Sequence, residues 1–207
     1  MSDLTERIEE SIRDDSLEIR NRTSGFLAFR NASKEDLFGE LCFCILAANT
    51  SAEMGIRIQN AVGNRSFLDL DLNSLRCELH RLRCRFYNTR SRFIFSAREV
   101  SHILPDLVNW DDKSKAREFL VDNVYGIGFK EASHFLRNVG TFDFAILDKH
   151  ITGMIAREFG LEPIKSFSRK RYLEVEALFL KMAEEFGLPP GILDLHMWKI
   201  ATGKVLK

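Results

Sequence analysis

Apolar residues recur along this chain at intervals of three and four, the period of amphipathic helices, and no segment alternates persuasively with period two. Over residues 3–22, charged positions are interleaved with Leu4, Ile8, Ile12 and Leu17, which predicts a helix. Ser33, with Asp36 three residues on, has the form of an N-cap. The helix it opens contains the most apolar stretch, 37–48, and is therefore expected at the centre of the core. Asn49, Thr50 and Ser51 interrupt it, and Ser51 caps a further helix over 52–62. Helices are also predicted over 73–84 and 88–104, with Arg85, Phe86 and Tyr87 at their junction and Pro105 ending the second, and over 113–123. Over about 130–139, Ala132, Phe135, Leu136 and Val139 form an i, i+3, i+4, i+7 stripe. The remaining helices start after Asp148, after the Ser168 cap (169–186), and after a loop over 187–191 (192–201). The fold class expected is all-α, about ten helices in a single domain. Two helical lobes flank a cleft: about 33–125 make one, and the N-terminal helix with about 126–207 the other.

Composition supports a packed core, since 45% of the 207 residues are hydrophobic. The longest clean apolar run, 41–48, falls far short of the roughly 20 residues of a membrane span. The first fifteen residues are acidic and polar, without the apolar segment of a secretion signal, so an intracellular protein of the cytoplasm or nucleoid is expected, with no membrane partner. Cys42, Cys44, Cys77 and Cys84 form no CxxC pair, and no Cys/His cluster has zinc spacing, so neither a metal site nor a disulfide is expected. Lysine and arginine balance aspartate and glutamate at 30 each, but unevenly along the chain. Residues 1–40 carry ten acidic and six basic groups, whereas residues 76–100 carry seven arginines and two glutamates. That basic segment is either a phosphate footprint or a solvated helix face.

Residues 119–140 read FLVDNVYGIGFKEASHFLRNVG: an amphipathic helix, a tight turn around Gly126 and Gly128, and a second amphipathic helix. Glycines there permit a left-handed turn and close backbone approach, and the free N–H groups opening the second helix suit a phosphate. An ordinary helix–helix turn would have the same outline. Lys130 changes the picture, because the positive end of the helix dipole favours a neutral, nucleophilic amine. Eighteen residues on, the apolar triplet Ala145, Ile146 and Leu147 leads into Asp148 at the start of another helix, where backbone N–H groups hold a carboxylate. Lys130 and Asp148 thus form a candidate amine–carboxylate pair.

With this hairpin, lysine and downstream aspartate, the chain resembles the helix–hairpin–helix DNA glycosylases of base-excision repair. The segments LCFCILAANTSAEMGIRIQ, RFYNTRSRFI, GIGFKEASHFLRN, AILDKHI and ATGKVLK narrow the resemblance to the compact archaeal-type 8-oxoguanine DNA glycosylase/AP lyases, over nearly the whole chain. The resemblance implies that Lys130 attacks C1′ of a flipped nucleoside, expels the base, and leaves a Schiff base that nicks the strand by β-elimination. Asp148 would stabilise the positive charge growing on the sugar and help keep Lys130 deprotonated. Gly126 and Gly128 would grip phosphate. Arg85 and Phe86 would fill the gap left by the flipped base, unless Phe86 packs into the core. Trp198 would give the base a stacking face, and a terminal carboxylate at Lys207 would accept two N–H donors of the guanine edge; otherwise ATGKVLK is a frayed end. His134 is read as a packing or hydrogen-bonding residue, His150 as facing the helix exterior or the seam between the lobes, Glu53 and Gln59 as less favoured cleft residues, and the basic run 165–171 as a phosphate contact or a solvated helix start. The substrate expected is double-stranded DNA containing 8-oxoguanine, acted on by a monomer without a cofactor. A non-catalytic helix–hairpin–helix DNA-binding module, or a glycosylase for another damaged base, is the alternative.

Overall fold

A computed structural model of the chain describes residues 2–14, 17–162 and 167–207. Thirteen α-helices and two short 3-10 turns run through them, and no strand occurs among the described residues. In order these are α1 (Asp3–Arg13), α2 (Leu17–Ala28), α3 (Lys34–Ala47), α4 (Ala52–Val62), α5 (Asn64–Asp69), α6 (Leu72–Arg81) and α7 (Tyr87–Ala97). They continue as α8 (Leu104–Leu107), α9 (Lys113–Asn123), α10 (Phe129–Asn138), α11 (Lys149–Glu158), α12 (Arg169–Glu185) and α13 (Pro190–Thr202). None is long and apolar enough to cross a membrane.

Local side chains start most of these helices. The side chains of Ser2, Ser33, Ser51, Asp71, Asp112, Asp148 and Ser168 each accept a backbone N–H two or three residues on, relieving donors that a helix start leaves unpaired. Several expectations are corrected. The single helix expected over 3–22 is two, α1 and α2, with residues 15–16 outside the described set. The helix expected over 88–104 ends at Ala97, and the 3-10 turn Arg98–Val100 follows it. Pro105 terminates nothing: it sits in the first turn of α8, where its missing N–H costs no hydrogen bond. Likewise α13 starts at Pro190, inside the expected loop, and α5 was not anticipated.

The buried apolar residues form two main clusters. The first gathers α3, which is buried on every side from Leu37 to Leu46, with parts of α4–α10. The second gathers Ile8 of α1, Phe129, the Ala145 and Leu147 approach, and the inner faces of α11, α12 and α13. The hairpin helix α10 contributes to both, through Ala132, Phe135 and Leu136 on one side and Phe129 on the other.

One buried ion pair ties the hairpin to the second cluster. Arg117 of α9 donates to Glu176 of α12 at 2.6 Å, both side chains being about 5% exposed. The same carboxylate oxygen accepts the N–H of Ala145 at 3.2 Å, fixing the strand of chain that leads to Asp148. Glu176→Gln keeps the shape but leaves a buried guanidinium without its counter-charge, and is expected to cost about 3–5 kcal/mol of stability. Urea unfolding measures this; a loss below about 1 kcal/mol would mean that Arg117 finds water or another acceptor when the charge is removed.

Candidate active site

The turn between α9 and α10 shows why the sequence needs glycine there. Gly126 has φ +82°, and a Cβ on it would lie 2.5 Å from the ring of Phe93 on α7. Tyr125, two-thirds exposed, stacks on that same Phe93 ring at 6.2 Å, so the hairpin tip is seated on α7. At Gly128 the expected free amide is taken: its N–H donates to Glu131 Oε2 at 3.2 Å. Ile127 N–H is also occupied, by the carbonyl of Val124.

Lys130 lies in the first turn of α10, its side chain 28% exposed. Its ammonium pairs with Glu131 Oε1 at 2.9 Å, so one carboxylate both caps the helix and holds the amine. The carboxylate paired with the Lys130 ammonium is that of Glu131, and Asp148 faces the same cleft from the start of α11. Glu131 went unread in the sequence although its signal was present, an acid at the third position of a helix following a glycine cap.

Asp148 begins α11, as expected, and three N–H groups converge on it. Oδ1 accepts from His150 at 2.8 Å and Ile151 at 2.9 Å, and Oδ2 accepts the indole N–H of Trp198 at 3.0 Å. The expectation for Trp198 was a stacking face; the structure adds that its indole orients the carboxylate. His150 packs edge-on against the same indole at 6.1 Å.

Lys130, Asp148, Trp198, Lys207 and Arg85 all line one cleft of about 780 Å³. His134, one turn after Lys130, lines it too; its ring meets Phe43 edge-on at 5.3 Å, and its Nε2 is out of contact with solvent. Burial, reinforced by Arg137 and Lys130, pushes the His134 imidazole well below its usual range, so it is neutral at pH 7. Arg137, which also lines the cleft, donates to Asp194 at 2.5 Å, and its neighbour Asn138 donates to Glu40 at 2.7 Å. Burial outweighs Arg137 and pushes the Asp194 carboxyl up to about 7.

The frayed-end reading of the tail is overturned. The segment after α13 runs back along the cleft, and the Lys207 ammonium is held by Glu40 at 2.7 Å and Gln59 at 2.5 Å. Glu53 reaches the cleft and pairs with Lys204 at 2.9 Å. The core reading of Phe86 is overturned as well. The residue is 51% exposed, its backbone is left-handed at φ +61°, and Arg85 lies over the ring at 4.6 Å. That backbone conformation is costly for an aromatic residue and is sustained by its surroundings: buried Arg90 of α7 donates to the carbonyl of Ala48, tying the start of α7 to the end of α3. In the basic run, Arg169 pairs with Glu118 and Arg171 with Glu174, while Lys165 lies outside the described residues. Cys42, Cys44 and Cys84 are buried and Cys77 is exposed, all as free thiols. No group of His, Cys, Asp and Glu among the described residues is placed to hold a metal ion.

The chain is similar to known proteins over nearly its whole length. The family model described as 8-oxoguanine DNA glycosylase matches residues 19–188. The chain is 50% identical over 192 residues to the 8-oxoguanine DNA glycosylase/AP lyase of Thermoplasma volcanium, covering 93% of each. Its fold superimposes on the crystal structure of the Thermotoga maritima 8-oxoguanine DNA glycosylase with a TM-score of 0.93 at 42% identity, covering 99% of this chain and 98% of that one. The Methanocaldococcus jannaschii 8-oxoguanine glycosylase/lyase, crystallised with a 15mer DNA containing 8-oxoguanine, gives a TM-score of 0.92 at 44% identity, covering 99% of both chains. With a helix–hairpin–helix unit, a lysine and an aspartate at two helix starts in one cleft, and matches of this extent, the chain belongs to the 8-oxoguanine DNA glycosylase family.

Proposed function

We propose that this protein excises 8-oxoguanine from double-stranded DNA and nicks the resulting abasic site. The observation that carries the reading is the convergence of Lys130 and Asp148, each at the start of its own helix, on a single cleft large enough for a flipped nucleotide. The Lys130 ammonium gives a proton to Glu131 Oε1, 2.9 Å away, and the amine so freed attacks C1′; the C1′–N9 electron pair leaves with the base, which takes up a proton from the newly bonded nitrogen. The nitrogen lone pair then expels the ring oxygen, which takes up the proton held by Glu131, and a Schiff base results; a C2′ proton passes to the freed base, and β-elimination breaks the C3′–O bond with its electron pair leaving on the phosphate. An amine nucleophile makes lyase activity possible because the intermediate is covalent, which an activated water would not allow. Asp148, held by its three donors, offsets positive charge on the sugar in the transition state.

Trp198 and Lys207 recognise the base, Trp198 through its indole face and Lys207 through main-chain oxygens that accept the N1–H and N2–H of the guanine edge. Gly126 and Gly128 bring the hairpin backbone against phosphate. Two helical lobes, about 33–125 and the N-terminal helix with about 126–207, grip the duplex on either side of the cleft, and a monomer suffices. A DNA substrate places its work in the cytoplasm or nucleoid. The test is borohydride trapping on a duplex with 8-oxoguanine opposite cytosine. A trapped complex is expected; release of base without one would leave a glycosylase that uses water.

Arg85 and Phe86 fill the space the flipped nucleotide vacates. Phe86 is the exposed aromatic at the start of α7, with two guanidiniums, Arg85 and Arg90, over its ring. Losing the stacking of one aromatic on a base is expected to weaken lesion-duplex binding by about 10- to 100-fold in Phe86→Ala. Arg85→Ala is expected to relax the preference for the opposite base. Unchanged affinity and preference in both variants, by fluorescence anisotropy on matched duplexes, would remove the wedge role.

A further inference from the structure

The Lys207 ammonium sits in a seat that is built, not incidental. Glu40 and Phe43 come from α3 and Gln59 from α4, and all three are at most 5% exposed. Glu40 Oε2 accepts from Nζ at 2.7 Å, Gln59 Oε1 accepts at 2.5 Å, and the Phe43 ring centroid lies 4.6 Å away. A carboxylate, an amide oxygen and an aromatic face are three groups that recognise an alkylammonium.

Each seat residue is itself fixed from behind. The other oxygen of Glu40 accepts Asn138 Nδ2 at 2.7 Å, and Arg137, the neighbour of Asn138, is pinned by Asp194. Gln59 Nε2 donates to Asn64 at 3.1 Å, and Asn64 donates to Asp36 at 2.9 Å. Withdrawing Lys207 would leave Glu40 charged, buried and without the cation that pairs with it, a state that costs far more than an exposed pair does. The Lys204–Glu53 pair nearer the mouth is half-exposed and contributes little by comparison. The seat therefore decides where the main chain of residue 207 lies, and that main chain faces His134 inside the cleft.

We infer that Glu40, Gln59 and Phe43 are positioning residues for base recognition: they seat the Lys207 side chain and so set the place of the Lys207 main chain against the flipped base. This rests on the reading of the protein as an 8-oxoguanine glycosylase/lyase. Recognition of the base depends on the seat, whereas cleavage at a preformed abasic site, where no base is read, does not.

The experiment compares wild type, Glu40→Gln and the double variant Glu40→Gln/Gln59→Glu. Each is assayed under single-turnover conditions on a duplex with 8-oxoguanine opposite cytosine, on the undamaged duplex, and on an abasic duplex. Glu40→Gln keeps the bond to Asn138 but removes the buried counter-charge, and 8-oxoguanine excision is expected to fall about 30-fold. Because the N1–H and N2–H edge is common to guanine and 8-oxoguanine, any excision from the undamaged duplex is expected to fall in parallel, leaving the 8-oxoguanine-to-guanine ratio unchanged, and abasic-site cleavage to stay within about twofold. Gln59→Glu returns a carboxylate to the same ammonium, so the double variant is expected to recover most of the lost excision. A merely structural role would slow both substrates together and would not be rescued by moving the charge. Equal loss on both substrates, absence of rescue, or wild-type excision by Glu40→Gln each overturns the inference while leaving the glycosylase/lyase reading in place. A wild-type protein that excises no 8-oxoguanine overturns both. If Glu40→Gln fails to fold, as urea unfolding would show, the uncharged removal Gln59→Leu is read in its place, with the same split between substrates expected and the same equal loss overturning.

Discussion

Lys130→Gln is expected to release no 8-oxoguanine and to give no borohydride-trapped complex, while still binding the lesion duplex. Glutamine approaches lysine in reach and preserves a polar end in the cleft, but its amide nitrogen has no available lone pair for C1′. Removing the nucleophile of a covalent mechanism costs on the order of 10⁴-fold or more, and the residual rate should be that of the rest of the site acting without it. Stability should barely change. The Lys130–Glu131 pair joins adjacent residues at a partly exposed helix start, the class of ion pair worth about 0–1 kcal/mol. The helix keeps its cap, because Glu131 still accepts the Gly128 N–H. Affinity should persist because phosphate contacts, and not the amine, supply most of the binding to DNA. Excision and trapping at wild-type levels would place the nucleophile on another residue, and Lys149, which also lines the cleft, would be examined next.

What was legible in the chain follows from the range of the interactions involved. Helix starts were legible because their chemistry is local: Ser33, Ser51, Asp148 and Ser168 each cap a helix through an N–H at most three residues away. The hairpin was legible because its glycines, amphipathic stripes and Lys130 lie within one continuous segment. The end of α1 at Arg13 was not, since the helical period of apolar residues continues past it and no glycine or proline marks it. Pro105 misled because proline suits both a position beyond a helix end and the first turn of the next helix. Phe86 was ambiguous for a different reason: an aromatic beside arginines looks the same whether it is buried or exposed, and only its left-handed backbone and the Arg90–Ala48 tie decide.

The tail was the least legible part. Lys207 meets Glu40 and Gln59 across separations of 167 and 148 residues, and nothing in a seven-residue stretch without periodicity announces such partners. The same holds for Trp198. A tryptophan on an apolar helix reads as a packing or stacking group, and its bond to Asp148, 50 residues away, appears only once α11 and α13 are side by side. Glu131 is the opposite case: its signal is local, an acid at the third position of a helix that follows a glycine cap, directly beside Lys130. Sequence therefore named Lys130 and Asp148 as candidates, whereas Trp198, which orients the Asp148 carboxylate, is brought there by long-range packing.

Asp148→Asn is expected to fold and to bind DNA but to lose about 10²–10³-fold in single-turnover excision, the scale set by removing one preorganised charge from a reacting centre. Asparagine is a good N-cap, so α11 should still start at this position. The difficulty lies in the three donors. An amide oxygen can serve the His150 and Ile151 N–H groups, but its NH₂ then faces the indole N–H of Trp198 across the 3.0 Å gap that Oδ2 now spans. Turned over, the NH₂ meets two backbone donors instead. Either way one donor loses its acceptor, the indole is free to shift, and the negative charge that offsets the developing positive charge on the sugar is absent. Both reactions pass through positive charge near C1′, so Asp148→Asn should slow excision and abasic-site cleavage together. That joint loss separates it from the seat variants, which spare the abasic substrate. Trp198→Phe gives the intermediate case: the carboxylate remains but loses its indole donor, and excision is expected to fall by roughly tenfold, the worth of one hydrogen bond to a charged group. Excision by Asp148→Asn within a few-fold of wild type would reduce Asp148 to a helix cap and leave Glu131, the carboxylate 2.9 Å from the amine, as the charge that matters.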